Sequence, residues 1–82
     1  MKYTIDDILN IIEKEDLMID VDLRQVDPNE RLTVQGVDSL DLASLLFGIE
    51  DHYKIKIDNE SIGNGEWRTI NSILENMEKL IP

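Results

Sequence analysis

Three stretches of this chain set apolar residues at i, i+3, i+4 and i+7, and that spacing restricts it to packed helices. Ile5, Ile8, Leu9 and Ile12 form the first stripe; Leu42, Leu45, Leu46 and Ile49 form the second. Ile70, Ile73, Leu74 and Met77 form the third, which Ile81 extends. Residues at this spacing share one helix face, and that face is stable only when buried against another element. The 82 residues read as a single domain, residues 1–82, with a core near the lower limit for independent folding. Cysteine is absent, so no disulfide supports that core and no thiolate is available as nucleophile or zinc ligand.

Local signals place the helix ends. Thr4 with Asp7 three residues on is a capping-box pattern, and Asp6 and Asp7 suit the positive end of a helix that stops near Glu15. In the stretch 16–38, Leu17, Ile19, Val21 and Leu23 alternate with Met18, Asp20, Asp22 and Arg24. A period of two reads as a strand. A lone strand would have no partner here, so the stretch is expected to be an extended loop with apolar anchors and one short helical turn. Leu32 and Val34 are expected to plug into the core, and Pro28-Asn29-Glu30 to turn. So long a loop points to function or to a mistaken assignment. The second helix is expected to start at Asp38 or Ser39. Leu40, Ala43 and Phe47 are apolar outside its stripe, which predicts a second surface meeting something besides the core. Gly48 costs this helix roughly 1 kcal/mol relative to alanine. Tyr53 to Ile57 reads as an extended connector, Asp58 as the cap of one short turn through Ile62, and Gly63-Asn64-Gly65 as a break. Thr69 opens the last helix, and Lys79 suits its negative end. The pattern is an all-α four-helix bundle: three main helices, one short helix, and a long loop between the first and second.

Charge narrows the partners. Eighteen acidic residues against eight basic ones give a net charge of -10. Nucleic acid and anionic membrane surfaces are poor partners for such a chain, whereas proteins with basic patches are favoured. No apolar run approaches the roughly 20 residues that span a bilayer, and the start, Met1-Lys2-Tyr3-Thr4, has no signal-peptide character. A monomeric cytoplasmic chain is expected. Catalysis by the chain itself is not. A Ser39–His52 couple would be separated by about 20 Å along one helix, far beyond hydrogen-bond reach. His52 reads as an exposed residue near a helix end. Asp20-Val21-Asp22 resembles the start of a calcium loop, but Arg24 and Gln25 occupy the fifth and sixth positions, so no metal site is assigned. A glycine-rich phosphate loop is also missing.

The chemistry-bearing candidate is Asp38-Ser39-Leu40-Asp41, where a glycine-containing loop, Gln35-Gly36-Val37, meets the second helix. Ser39 reads either as a helix cap, with Asp38 as the alternative cap, or as an exposed hydroxyl at the positive end of a helix. At such an end a phosphodiester meets free backbone amides.

Gly36-Val37-Asp38-Ser39-Leu40-Asp41 resembles the Gly-x-Asp-Ser-Leu-Asp motif of acyl carrier proteins. The likeness extends over nearly the whole chain, including Tyr53, Ile57, the order of helices, the size and the acidity. The resemblance implies that Ser39 carries 4'-phosphopantetheine, placed from coenzyme A by a phosphopantetheinyl transferase, with Asp38 and Leu40 beside it. The terminal thiol would then hold an acyl group as a thioester. It also implies docking of acyl-loading and acyl-transferring enzymes, through their basic patches, on Leu40, Asp41, Phe47, Glu50 and Asp51. Leu42, Leu46, Phe47, Ile57, Ile62 and Trp67 are candidates to line an acyl cavity, although Trp67 reads first as a core plug near the start of the last helix, with the cavity as the alternative. The chain departs from the family pattern at Gln35 (usually leucine), Ser44 (usually glutamate) and Asp58 (frequently proline), and its Gly63–Trp67 stretch is longer. These departures favour a specialised acyl carrier in fatty-acid, lipid or polyketide biosynthesis. An aminoacyl or peptidyl carrier, and an acidic helical interaction module without a prosthetic group, are the alternatives.

Overall fold

Capping side chains decide where the helices begin in the computed structural model, which describes residues 2–82. Helix α1 (Ile5–Lys14) opens after Thr4, whose backbone N–H donates to the Asp7 carboxylate at 2.8 Å. Helix α2 (Ser39–Tyr53) opens after Asp38, and helix α3 (Asn59–Gly63) after Asp58, whose carboxylate accepts from the Glu60 N–H at 3.0 Å. Helix α4 (Ile70–Leu80) opens after Thr69 in a reciprocal pair. The Thr69 hydroxyl accepts from the Ser72 N–H and the Ser72 hydroxyl from the Thr69 N–H, each at 3.0 Å. The chain is thus a four-helix globule with three long helices, one short one, and a long loop between the first two; no strand forms among the described residues.

The core draws on every helix except α3, which buries no residue. Leu45, Leu46 and Ile49 of α2 share one buried cluster with Ile70, Ile73, Leu74 and Met77 of α4, and Leu23, Leu32, Val37, Ile57 and Trp67 join it from the segments between the main helices. The α1 stripe is turned from its expected centre. Ile8 and Ile11 are fully buried, while Ile5, Leu9 and Ile12 flank them half-buried. Gly48 explains itself in this packing. A Cβ there would stand 3.2 Å from both Ile11 Cγ2 and Leu17 Cδ1, so the bare backbone is what lets α1 and the start of the loop approach α2.

The loop 16–38 alternates as its sequence does. Leu17, Ile19, Val21 and Leu23 turn toward the core, and Met18, Asp20, Asp22 and Arg24 face water. Extended backbone alternates sides whether or not another strand pairs with it, which is why the pattern mimics a strand. A 3₁₀ turn, Leu32–Val34, buries Leu32 but leaves Val34 57% exposed, against the expectation that both would plug the core. With three residues per turn, positions two apart lie on different sides, so one turn cannot bury both. The loop is tied to the start of α4. Leu32 N–H donates to the Arg68 carbonyl at 2.9 Å, and Asn71 N–H donates to the Pro28 carbonyl at 3.0 Å.

Candidate functional site

Ser39 is presented by what precedes it. Gly36 has φ +97°, a left-handed conformation that favours glycine, and a Cβ there would also stand 3.2 Å from Val21 Cγ2. Val37 is buried and anchors the backbone, after which Asp38, Ser39 and Leu40 emerge exposed. The cap of α2 is Asp38: its carboxylate accepts from the Asp41 N–H at 2.8 Å and its carbonyl from the Leu42 N–H at 3.0 Å. Ser39 is the first helical residue, and its hydroxyl makes no hydrogen bond to the described residues. The capping reading of Ser39 therefore falls to its neighbour.

The surroundings suit a phosphate. The backbone N–H groups of Ser39 and Leu40 have no partner among the described residues and lie at the positive end of a helix that runs on to Tyr53. Such unpaired amides, together with the helix dipole, favour an anion. The one carboxylate adjacent in sequence, Asp38, is folded back into its cap, where the Asp41 N–H engages it. A phosphodiester through Ser39 Oγ fits this arrangement. His52 lies at the other end of the same helix, packed edge-on against Tyr53 with ring centroids 4.7 Å apart, so no base serves the serine.

Along α2, Leu40 is 78% and Phe47 65% exposed, an apolar face outside the core as the sequence indicated. Asp41 is half-buried in the first turn, and Asp51 is exposed beside Lys54, 4.0 Å away. Glu50 has an internal role as well. Its carboxylate accepts from the Ile57 N–H at 2.7 Å, pinning the connector after α2, whose turn is made by Lys54 in a left-handed conformation. Glu15, at the end of α1, adds to this acidic rim. Hydrogen bonding with the Asp51 carboxyl raises its pKa above the usual carboxylate value, and partial burial and the charge of Asp51 act in the same direction. Sequence reasoning missed Glu15 because only the packing around Gly48 brings α1's end to α2.

The six cavity candidates occupy different places. Leu46, Ile57 and Trp67 are buried in the core, Leu42 is half-buried against it, and Phe47 and Ile62 are exposed. Phe47 borders a depression of about 290 Å³ with Glu15, Leu17 and Asp51; Trp67 borders another of about 190 Å³ with Ser61 and Asn76. A larger cleft, about 440 Å³, opens between Tyr3, Leu23, Val26, Ile70 and Leu74, and none of the six lines it. Trp67 is only 3% exposed; its Nε1–H donates to Ser61 Oγ at 3.0 Å, and that hydroxyl donates to the Asp58 carbonyl at 2.7 Å. Ser61 was not singled out from the sequence, where nothing links it to the tryptophan.

No cluster of metal-ligating side chains occurs among the described residues, and none of their helices is long and apolar enough to cross a membrane. A family model described as a phosphopantetheine attachment site matches residues 6–76. The chain belongs to that family. It is a non-catalytic carrier whose prosthetic group is 4'-phosphopantetheine, and it is acted on by a phosphopantetheinyl transferase and by partner enzymes. Membership sets aside the reading of an acidic module without an arm. Neither the curated proteins nor the solved structures gave a match.

Proposed function

We propose that the whole chain, residues 1–82, is one carrier domain that holds acyl intermediates as thioesters on a 4'-phosphopantetheine arm attached to Ser39. It serves as a specialised acyl carrier in fatty-acid, lipid or polyketide biosynthesis, acting as a cytoplasmic monomer. The observation that carries this reading is the Ser39 hydroxyl: exposed, without a hydrogen bond to the described residues, and next to amides that have no partner among them at the start of a long helix. When bound, the arm supplies a thiol that carries the cargo. The chain's own residues present and dock it. Asp38 holds the first turn, the Ser39 and Leu40 amides face the phosphate, and Leu40, Asp41, Phe47, Glu50 and Asp51 offer an acidic and apolar face to basic patches on partner enzymes. An interface of this kind is small and transient, as a shuttle requires.

An aminoacyl or peptidyl carrier is the second reading, favoured by Ser44, an exposed uncharged residue on the same helix. Loading the pantetheinylated chain with fatty-acyl-activating and with amino-acid-activating enzymes separates the two. Acyl loading alone is expected, as a product that hydroxylamine cleaves; aminoacyl loading alone would reverse the assignment. Cargo drawn into the core would have to part Leu46, Ile57 and Trp67. A shift in tryptophan emission on acylation is the sign of that burial, and unchanged emission with long and short chains would remove Trp67 from any cavity.

A further inference from the structure

Gln35 stands four residues before Ser39, and its amide is the most heavily engaged side chain in the loop. Its Oε1 accepts from the Asp27 N–H at 2.8 Å. Its Nε2 donates to the Asp27 carbonyl at 3.0 Å and to the Glu30 carbonyl at 3.2 Å, and lies 3.5 Å from the Arg31 carbonyl. One planar amide thus pairs with both backbone groups of Asp27, as a neighbouring peptide would. Leucine, the usual residue here in the family, has no donor or acceptor to do this. Glutamate would keep an acceptor but set a negative charge against two or three carbonyls.

The segment that Gln35 grips is also fastened from the other side. Asn71, at the start of α4, bonds through its N–H to the Pro28 carbonyl at 3.0 Å and through its side chain to Asn29 Oδ1 at 2.6 Å. The residues that follow Gln35 lead to the serine with little slack. Gln35 N–H and Val37 N–H both donate to the Leu32 carbonyl, at 3.0 and 3.2 Å, and Val37 is buried. A continuous set of bonds therefore runs from α4 through residues 27–31 and Gln35 to the backbone that presents Ser39.

We infer that Gln35 is a positioning residue for attachment of the arm: it holds residues 27–31 and the approach to Ser39 as one preformed surface for the transferase. The inference rests on the reading of Ser39 as the attachment point. Residues 27–31 are exposed, so without the clasp their backbone groups turn to water and the loop fluctuates. A transferase would then have to order that loop on binding, which weakens binding while leaving the chemistry at the hydroxyl unchanged.

The test uses the apo chain, coenzyme A and a broad-specificity phosphopantetheinyl transferase, comparing the natural chain with Gln35→Leu and Gln35→Glu. Amide hydrogen exchange at 27–31 is expected to quicken in both variants. The KM for the carrier is expected to rise about three- to tenfold, the effect of one or two net hydrogen bonds, with kcat held within about twofold. Should Gln35→Leu fail to fold, Gln35→Glu, nearly identical in shape, decides alone. Quickened exchange with an unaltered KM would reduce Gln35 to a purely structural role and overturn the inference, as would a loss confined to kcat or unaltered exchange. Failure of the natural chain to be modified at Ser39 is a separate result. It removes the attachment reading, and this inference with it.

Discussion

Asp38 and Ser39 divide two tasks that the sequence leaves undivided. Both are good capping residues, and both stand where α2 could start. The structure gives the cap to Asp38, whose carboxylate takes the Asp41 N–H, and leaves the serine hydroxyl without a bond to the described residues. Asp38→Ala is therefore expected to lower stability by about 1 kcal/mol in denaturant unfolding. Ser39→Ala, which removes no bond among the described residues, should change it by less than about 0.5 kcal/mol. Glu15 gives a pH signature. Its folded-state pKa is raised by hydrogen bonding with Asp51, so the native state holds that proton more tightly than the unfolded chain does. The contribution is complete below the unfolded value and is lost as pH rises through the raised one. Glu15→Gln should melt higher than the natural chain at neutral pH and gain less on mild acidification; equal gains in thermal melts would remove this pair from the account.

Elements were legible where burial has a helical period and illegible where one residue's neighbour comes from elsewhere in the chain. The stripes of α2 and α4 and the caps at Thr4, Asp58 and Thr69 lie where sequence spacing puts them, because both signals are local. The alternation from Leu17 to Leu23 reported true inward and outward positions but not a strand, since pairing depends on a partner that the stretch itself does not specify. Val34 failed for the geometry of its tight turn, and the centre of α1's buried face depended on how closely α2 approaches. Gly48, costly on propensity alone, is the point of that approach. Gly48→Val is expected to destabilise by about 1–3 kcal/mol, because the fully buried Ile11 cannot give way. A variant as stable as the natural chain by denaturant unfolding would mean that the helices separate easily at this crossing. The likeness of Gly36–Asp41 to a carrier motif was legible from the sequence alone. The clasp made by Gln35 was not, because its partners lie five to eight residues earlier in a loop without periodicity.

On the scale of the whole molecule, charge is the feature left uncompensated. Of eight basic residues only Arg24, paired with Asp6, and Lys54, with Asp51, form ion pairs among the described residues, so an excess of ten negative charges repels itself. Salt screens charges beyond a Debye length of about 10 Å at 0.1 M. Added sodium chloride or a divalent cation should raise the melting temperature, and a flat or falling trend would contradict this source of strain. A field of this sign favours encounter with basic surfaces, the partners proposed for the acidic rim on α2. The central claim is narrower: one hydroxyl at the head of that helix accepts the arm. Intact mass spectrometry of the chain and of Ser39→Ala, after incubation with coenzyme A and a phosphopantetheinyl transferase, tests it most directly. A single phosphopantetheine increment on the natural chain and none on the folded variant is the result predicted here; an increment on both, or on neither, would contradict it.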